Sequence, residues 1–396
     1  MWYNYVVIIL GIETSCDETA AAIVKDGREI LSNVVVSQID IFAEYGGVIP
    51  EVAARSHLEA MMPVVEKALK DADKTWDDID AIAVTHAPGL LGSLLIGTLT
   101  ARTLAILHNK PLYAVHHLKS HIYANWLNSA GENGLKQSAG PSSHFYNGHG
   151  RVSGTEIPVR DRLTRCENDD CGPRTFQDAS PVLFPLLALV VSGGHTQILY
   201  MPAHNTFEII GTTHDDAVGE CFDKVAKILG LPYPGGPSIA SAAKSGDPNK
   251  YKLPHPHVEN YDFSFSGLKT AVLRAVQREL NLPISHPSHD LKNHLSEQQI
   301  ADFAASFQKT AIDILCEKLS LALQDHPEVK SLVLAGGVSA NEELRKALPG
   351  AFFPAPHLSG DNGAMVAAAA YYEIQSGVRP TDPYSLNIYP RISIAG

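Results

Sequence analysis

The stretch Val-Val-Ile-Ile-Leu-Gly-Ile-Glu-Thr-Ser, residues 6–15, decides the fold, because an apolar β-rich run leads directly into small polar residues. Such a run predicts a buried strand that ends in a turn. Residues 20–36 then predict a β-meander, and residues 50–72 carry apolar side chains at helical spacing. The opening pattern returns in Leu-Val-Val-Ser-Gly-Gly, residues 189–194. We therefore predict two similar halves, each a strand meander with flanking helices.

Strands and helices alternate along both halves, and this alternation predicts an α/β fold. Further strands are predicted at residues 80–85, 111–115, 186–191, 195–201 and 331–334. Further helices are predicted at residues 93–108, 117–126, 216–229, 300–324 and 362–373. We place a first lobe at residues 1–127 and a second lobe at 181–396, on two sides of a cleft. Residues 128–180 between them are rich in Gly, Ser, Asn, Pro and Arg and predict a long inserted loop.

The composition limits the classes of protein to which the chain can belong. Its 396 residues exceed the length at which a single core stops growing, so two lobes are expected. No apolar run is long enough to span a bilayer, which disfavours a transmembrane protein. Residues 1–10 lack a preceding Lys or Arg and predict a strand rather than a secretory signal, and five scattered cysteines fit a reducing compartment. We therefore expect a cytoplasmic protein.

The net charge of −12 bears on nucleic-acid binding. A protein that coats nucleic acid needs clustered Lys and Arg to neutralise phosphates. If this chain binds RNA, the binding surface must be local, or partner subunits must supply part of it.

Two histidines, His117 and His121, stand four residues apart on a predicted helix. This spacing puts both imidazoles on one face, with Cβ atoms roughly 5 to 6 Å apart, which is suitable for metal chelation. The alternative is two polar side chains on a solvated helix face. Leu118 occupies the position where a zinc protease needs Glu, so hydrolysis of that type is disfavoured.

Asp361, at the predicted start of the last helix, is the candidate third ligand. A carboxylate is favoured at a helix N-terminus, and a plain N-cap is the alternative interpretation. Two imidazoles and one carboxylate leave coordination positions open for a substrate, and they suit iron or zinc better than calcium.

Glycine-rich turns follow predicted strands or open helices at residues 191–195, 233–237 and 334–341. Glycine lets an anion approach backbone N–H groups, so these turns together predict a nucleotide site. A fourth turn, at residues 86–93, fits a packed turn equally well. Residues 13–19, Glu-Thr-Ser-Cys-Asp-Glu-Thr, offer carboxylates that can orient a reacting group, with hairpin turn chemistry as the alternative.

Two weaker patterns leave their alternatives open. Cys166 and Cys171 bracket four residues in the insert and suit either a zinc site or two free thiols. Residues 281–296 are polar and contain histidines, which indicates a surface excursion, with a metal-binding tract as the alternative.

Together these motifs resemble the bacterial and mitochondrial tRNA threonylcarbamoyladenosine transferases of the actin-like ATPase superfamily. The resemblance covers about residues 8–128 and 181–372, so the segment 128–180 has no counterpart that we recognise. Lys119-Ser120 replaces the Glu-Gly that the family usually has between its metal histidines. The motifs are IETSCDET at 12–19, His117 with His121, VSGGHTQ at 191–197, FDK at 222–224, YPGGP at 233–237, FSFSGLK at 263–269, GGVSAN at 336–341 and DNGAM at 361–365.

The resemblance implies an actin-like ATPase fold, with two similar lobes of mixed sheet and flanking helices around a cleft. It implies that His117, His121 and Asp361 hold one divalent metal ion, Fe²⁺ by preference and Zn²⁺ or Mg²⁺ otherwise. It also implies that Asp17 is a candidate catalytic carboxylate. The residues that it implies for substrate binding are Val190, Val191, Ser192, Gly193, Gly194, Asp223, Gly236 and Asn341.

The activity that the resemblance implies is an acyl transfer. The threonylcarbamoyl group of threonylcarbamoyl-AMP passes to N6 of adenosine 37 in tRNAs that read codons starting with A, and AMP is released. The implied partners are tRNA, a small inactive paralogue, a P-loop ATPase and a separate enzyme that makes the adenylate. An actin-like ATPase or small-molecule kinase is the alternative of the same fold, and a non-enzymatic nucleotide-binding scaffold is the alternative of another class.

Overall fold

The first sheet has six strands in the order β5-β4-β1-β2-β3-β6. The computed structural model describes residues 6–43, 45–129 and 182–394, so most of the predicted insert, with Cys166 and Cys171, lies outside the described residues. β1, β2 and β3 form an antiparallel meander, while β4 joins β1, β5 joins β4 and β6 joins β3 in parallel. The strands are β1 (Ile8–Glu13), β2 (Glu18–Lys25), β3 (Glu29–Ser37), β4 (Ala81–Ala87), β5 (Leu112–His116) and β6 (Asn128–Ser129).

The second sheet repeats this plan with four strands in the order β10-β7-β8-β9. β7, β8 and β9 form an antiparallel meander, and β10 joins β7 in parallel. The predicted class, an α/β fold with two lobes of mixed sheet and flanking helices, is confirmed. The strands are β7 (Leu186–Val191), β8 (Thr196–Ala203), β9 (Thr206–Thr212) and β10 (Ser331–Ala335), of which β9 was not predicted.

The helices begin and end where the sequence provides caps. Pro50 occupies the first turn of α2, the Ser296 hydroxyl caps α8, and Gly230 ends α5 in the left-handed region. Among the described helices, none combines the length and the apolar character that a membrane crossing needs. The helices are α1 (Ile39–Ala43), α2 (Pro50–Asp71), α3 (Leu91–Leu107), α4 (His117–Tyr123), α5 (Val218–Leu229), α6 (Gly235–Ala243), α7 (Ser266–Glu279), α8 (Glu297–Asp325), α9 (Glu342–Ala347) and α10 (Gly363–Gln375).

Each lobe has its own apolar core, and a third cluster joins the two lobes. The cluster that joins them combines Ile9 of the first sheet and Leu186 of the second with a run of small residues on α10. α10 packs against β1 and β2 and also against α4. The last helix therefore belongs to the chain segment predicted as the second lobe but lies on the first sheet.

Glycine makes the close approach of α10 to the first sheet possible. A Cβ atom on Gly363 would lie 2.6 Å from the backbone nitrogen of Ala22 and 2.7 Å from the carbonyl oxygen of Gly11. Real Cβ atoms do not approach backbone atoms so closely, so any larger residue forces the helix away from the sheet.

We predict that Gly363→Ala lowers the free energy of unfolding by about 1 to 3 kcal/mol, because the added methyl overpacks this contact. Urea unfolding followed by circular dichroism measures the change. Gly267→Ala in α7 is the matched control, because a Cβ there meets no atom within 4 Å, and it should leave stability unchanged or raise it by up to about 1 kcal/mol. Equal midpoints for Gly363→Ala and the wild type would contradict the packing argument.

Candidate active site

The three residues predicted to hold a metal converge at one point. The Nε2 atoms of His117 and His121 lie 3.2 Å apart, and Asp361 Oδ1 lies 3.0 Å from His121 Nε2 and 3.6 Å from His117 Nε2. Ligand atoms bound at about 2.0 to 2.2 Å and at right or tetrahedral angles stand about 3.0 to 3.5 Å apart. The triangle of ligand atoms therefore has the size of one face of a metal coordination shell.

The structure decides between the alternatives that the sequence left open for these residues. His117 and His121 are buried, so they do not form a solvated helix face. Asp361 is not the N-cap of α10, because the Asn362 side chain accepts the hydrogen bond from the Met365 backbone nitrogen at 3.0 Å. The Asp361 carboxylate is thus free to face the two imidazoles.

A buried carboxylate orients His117 from the side opposite the ligand atoms. His117 Nδ1 lies 3.1 Å from Glu13 Oε2 and 3.1 Å from Ser15 Oγ. Thr85 Oγ1 donates to the same Glu13 oxygen at 2.6 Å, and Glu13 is fully buried. With Nδ1–H donating to the carboxylate, Nε2 presents its lone pair toward Asp361 and His121, which is the usual outer support of a metal-binding histidine.

The charges of the triad favour a cation. Burial by itself lowers the pKa of His117, but the carboxylates of Asp361 and Glu13 outweigh it and raise this pKa to about 9. Burial raises the pKa of Asp361, but His117 and His121 outweigh it and lower this pKa to about 2. The metal-free triad therefore holds a proton on His117, and a divalent transition metal that displaced this proton would find two imidazoles and an ionised carboxylate as ligands.

His195 completes the surroundings of the triad. Burial, together with the neighbouring His117 and His121, lowers the pKa of His195 to about 4. The ring is therefore neutral at physiological pH, and it faces the cleft beside the glycine turn of residues 192–194. The sequence contained this histidine in a recognised motif, but the motif alone gave it no role.

The triad opens onto a cleft of about 2230 Å³ that residues of both lobes line. Asp17, the candidate catalytic carboxylate, lies on the cleft floor and is buried. Its neighbour Glu18 is partly buried, and burial, Asp361 and Asp17 raise the pKa of Glu18 well above its ordinary value. The floor is therefore a concentration of carboxyl groups that attracts cations or donors.

The glycine turns line the cleft with exposed backbone. A Cβ built on Gly193, Gly194, Gly236 or Gly337 would meet no atom within 4 Å, so these glycines leave open space on the cleft side. The turn of residues 86–93 differs, because a Cβ on Gly89 would lie 2.6 Å from the Ser15 carbonyl oxygen. That fourth turn is a packed turn, whereas the other three form a cradle.

Two polar side chains predicted to bind substrate also hold the cradle in shape. Asp223 accepts a hydrogen bond from the Gly235 backbone nitrogen at 2.7 Å, and burial raises the pKa of Asp223. The Asn341 amide oxygen caps α9, and its nitrogen donates to Gln308 Oε1 at 2.8 Å. Their contribution to a ligand site is therefore at least partly indirect.

The predicted substrate-binding residues fall into two groups. Val190 and Val191 are fully buried in β7, and their side chains belong to the apolar cores rather than to the cleft wall. The predicted residues that do line the cleft are Ser192, Gly193, Gly194, Asp223, Gly236 and Asn341.

Comparison with known proteins gives a consistent family description. A family model described as tRNA N6-adenosine threonylcarbamoyltransferase (TsaD) matches residues 29–157 and 174–368. A relative of that name from Symbiobacterium thermophilum is 43% identical over 396 residues, which cover 98% of this chain and 97% of the relative. Another from Bacillus cereus is 44% identical over 398 residues, with coverage of 98% and 96%. The crystal structure of component A of the Acidaminococcus fermentans (R)-2-hydroxyglutaryl-CoA dehydratase is similar at a TM-score of 0.43 and 14% identity, covering 93% of this chain and 99% of that one.

The family match also corrects one expectation. The prediction that the whole segment 128–180 lacks a counterpart is wrong, because the family model continues to residue 157 and resumes at 174. Only residues 158–173 of that segment fall outside the match.

We predict that Glu13→Gln weakens metal binding roughly 10- to 100-fold, because it removes the charge that orients His117 and raises its basicity. Titration of metal-stripped protein with Zn²⁺ in competition with a chromophoric chelator measures the affinity. Glu66→Gln, at an exposed position of α2, is the control and should bind as the wild type does. Unchanged affinity in Glu13→Gln would show that the buried carboxylate does not support the site.

Proposed function

This chain belongs to the tRNA N6-adenosine threonylcarbamoyltransferase family, and from that membership we propose that it carries out this acyl transfer. The proposed donor is threonylcarbamoyl-AMP, and the proposed acceptor is N6 of adenosine 37 in tRNAs that read codons starting with A. The N6 amine bonds to the carbamoyl carbon, the bond from that carbon to the AMP phosphate oxygen breaks, and the amine loses one proton. The observation that supports this proposal most strongly is that the His–His–Asp triad and the glycine cradle open onto one cleft.

In this proposal His117, His121 and Asp361 hold one divalent ion, Fe²⁺ by preference and Zn²⁺ or Mg²⁺ otherwise. Such an ion would supply Lewis-acid polarisation of the carbamoyl carbonyl. Three protein ligands leave coordination positions open for a substrate oxygen. Glu13 keeps His117 in the tautomer and orientation that this role requires.

The cradle of Gly193, Gly194, Gly236 and Gly337 is the proposed adenylate site. These glycines leave their backbone uncovered, and backbone N–H groups and the N-terminal turn of α6 favour a phosphate because both present partial positive charge. The Gly235 N–H itself donates to Asp223, so the phosphate contacts come from the other residues of the cradle. Holding AMP there fixes the leaving group relative to the triad, which is the positioning contribution to catalysis.

The size of the cleft fits two reactants. Small-ligand pockets typically measure about 300 to 1,000 Å³, whereas this cleft measures about 2230 Å³. The excess leaves room for the target adenine beside the adenylate. Asp17 on the floor is our candidate for orienting the amine and for accepting its proton.

The pairing of charged side chains at the cleft supports a role for partner subunits in tRNA binding. Several lysines that line the cleft are already neutralised by carboxylates, so they offer little to phosphates. These pairs are Lys224 with Asp216 at 2.6 Å, Lys309 with Asp313 at 2.7 Å and Lys346 with Glu343 at 2.7 Å. Because tRNA is the proposed substrate, we also propose that the protein works in the cytoplasm, with the P-loop ATPase and the adenylate-forming enzyme as further partners.

An exposed apolar surface on α2 and α3 is our proposed contact for the small paralogous subunit. These helices pack side by side, and their outer residues repeat at helical spacing. A patch of this kind marks an interaction site more often than it remains exposed to water. Its members include Leu58, Met62, Leu91, Leu95, Leu99 and Leu107, which are 43 to 70% exposed.

We predict that the protein, supplied with threonylcarbamoyl-AMP, unmodified tRNA and its partner subunits, forms the modified nucleoside, and that His121→Ala reduces the product at least about 100-fold. Mass spectrometry of the digested tRNA measures the product. His214→Ala, an exposed histidine away from the cleft, is the control and should retain full activity. Phosphate transfer from ATP without nucleoside modification would favour the kinase alternative, and binding without any turnover would favour the scaffold.

We predict that the double variant Leu95→Glu/Leu99→Glu no longer binds the paralogous subunit but keeps its fold, because both side chains are exposed and charge is costly to bury in an apolar interface. Sedimentation velocity of the mixed proteins measures complex formation. Val378→Glu, an exposed apolar residue elsewhere, is the control. A complex of unchanged affinity in the double variant would place the paralogue on another surface.

A further inference from the structure

A second group of metal-binding side chains lies in the connection between α7 and α8. His286 Nε2 is 2.9 Å from Asp290 Oδ2, and His294 Nε2 is 3.0 Å from the same oxygen. The two imidazole centroids are 5.7 Å apart. None of the three residues lines the cleft, so this group is separate from the triad of His117, His121 and Asp361.

The connection that carries this group is fixed to the body of the second lobe. Leu291, between the second and third members of the group, is fully buried in the core of that lobe. The buried Gln277 side chain donates to the carbonyl oxygens of Ile284 at 3.1 Å and His286 at 3.2 Å. Ser296 then caps α8 two residues after His294. The backbone that carries the three side chains is therefore fixed in place, which reduces the conformational entropy lost when an ion binds.

We propose that His286, Asp290 and His294 form a second metal site that takes Zn²⁺ or another divalent transition metal. Two imidazole nitrogens and one carboxylate oxygen suit zinc, copper or nickel, whereas magnesium and calcium prefer oxygen ligands alone. The separations of 2.9 and 3.0 Å between each imidazole Nε2 and the carboxylate oxygen are close to those between neighbouring ligands of one ion. All three ligand atoms lie within 4.8 Å of one another.

The carboxylate is already oriented for this role. Asn293 Nδ2 donates to Asp290 Oδ1 at 2.9 Å, which leaves Oδ2 for the ion. Side-chain exposures of 20% for His286, 37% for Asp290 and 47% for His294 leave one side open, where water completes the coordination shell. On binding, each neutral imidazole carries its proton on Nδ1 and offers the Nε2 lone pair, so the ion replaces two hydrogen bonds to Asp290.

The ion would cross-link the chain segment that leads into α8. Asp290 and His294 flank the buried Leu291, and α8 in turn contributes Gln308 and Lys309 to the cleft wall. An ion that binds the folded chain and not the unfolded chain raises its stability by mass action. The site is thus a structural one, with no part in the acyl transfer.

The test is a Zn²⁺ titration of the full-length, metal-stripped protein against a chromophoric chelator at neutral pH. The wild type should bind two ions, and the double variant His286→Ala/His294→Ala should bind one, with its thermal midpoint no longer raised by Zn²⁺ at this site. His289→Ala removes a histidine of the same connection that is not in the group, and it should still bind two ions. His121→Ala should keep the site in the connection and lose the other.

The other outcomes overturn either this proposal or the role of a metal in the proposed transfer. Two ions in the double variant would place the second ion elsewhere, and a loss in His289→Ala equal to that in the double variant would indicate nonspecific surface binding. A single ion in the wild type that disappears in His121→Ala would show that the group is only a hydrogen-bonded pair of histidines on Asp290. A single ion that disappears in the double variant and persists in His121→Ala would uphold this site and remove the metal from the proposed transfer.

Discussion

The packing of α10 against the first sheet, within the core that both lobes share, is the constraint on which the rest of the structure depends. Small residues along this helix let it lie against β1 and β2 while it also contributes to the core shared with β7 and β10. Gly363 lies so close to the backbone of Gly11 and Ala22 that no side chain fits between the helix and the first sheet. Because Asp361 comes just before this helix, its position relative to α4 is set by the core of the whole molecule.

This packing explains how the protein holds several ionisable groups out of water. Four ionisable residues of the site are buried or nearly so: Glu13, His117, His121 and Asp361. An unpaired charge among them would destabilise the fold by about 3 to 5 kcal/mol, as breaking a buried ion pair does. Their contacts offset part of that cost, since His117 lies between the carboxylates of Glu13 and Asp361, and His121 lies against Asp361. A divalent ion in place of a proton completes the balance, because it satisfies both imidazoles and the carboxylate at once. The arrangement is therefore more informative about function than any of its members alone.

Sequence reasoning succeeded where the signal is local and failed where it depends on contacts between distant segments. The β1 strand, the α2 helix and the four-residue spacing of His117 and His121 follow from periodicity, which nearest neighbours determine. The role of Glu13 was not predicted, because its partner His117 is 104 residues away. The capping of α9 by Asn341 and the burial of Val190 became visible only once the fold placed them. The position of Asp361 left a ligand and an N-cap as alternatives, the resemblance implied the ligand, and the geometry then excluded the capping role.

The glycines show why motif spacing alone could not separate residues that support the fold from residues that bind a ligand. At some positions glycine is required because another backbone segment occupies the space of a side chain; these are Gly11, Gly219, Gly235 and Gly363. At other positions the glycine faces unfilled space in the cleft; these are Gly193, Gly236 and Gly337. In the turn of residues 233–237 the two cases are adjacent: Gly235 lies against Asp223, and Gly236 faces the cleft. A side chain at the first kind of position acts on the folded state itself, while one at the second kind fills the volume that a ligand needs. A glycine can therefore indicate either a packing contact or a ligand site. Only the atoms around the position of its missing Cβ distinguish these two cases.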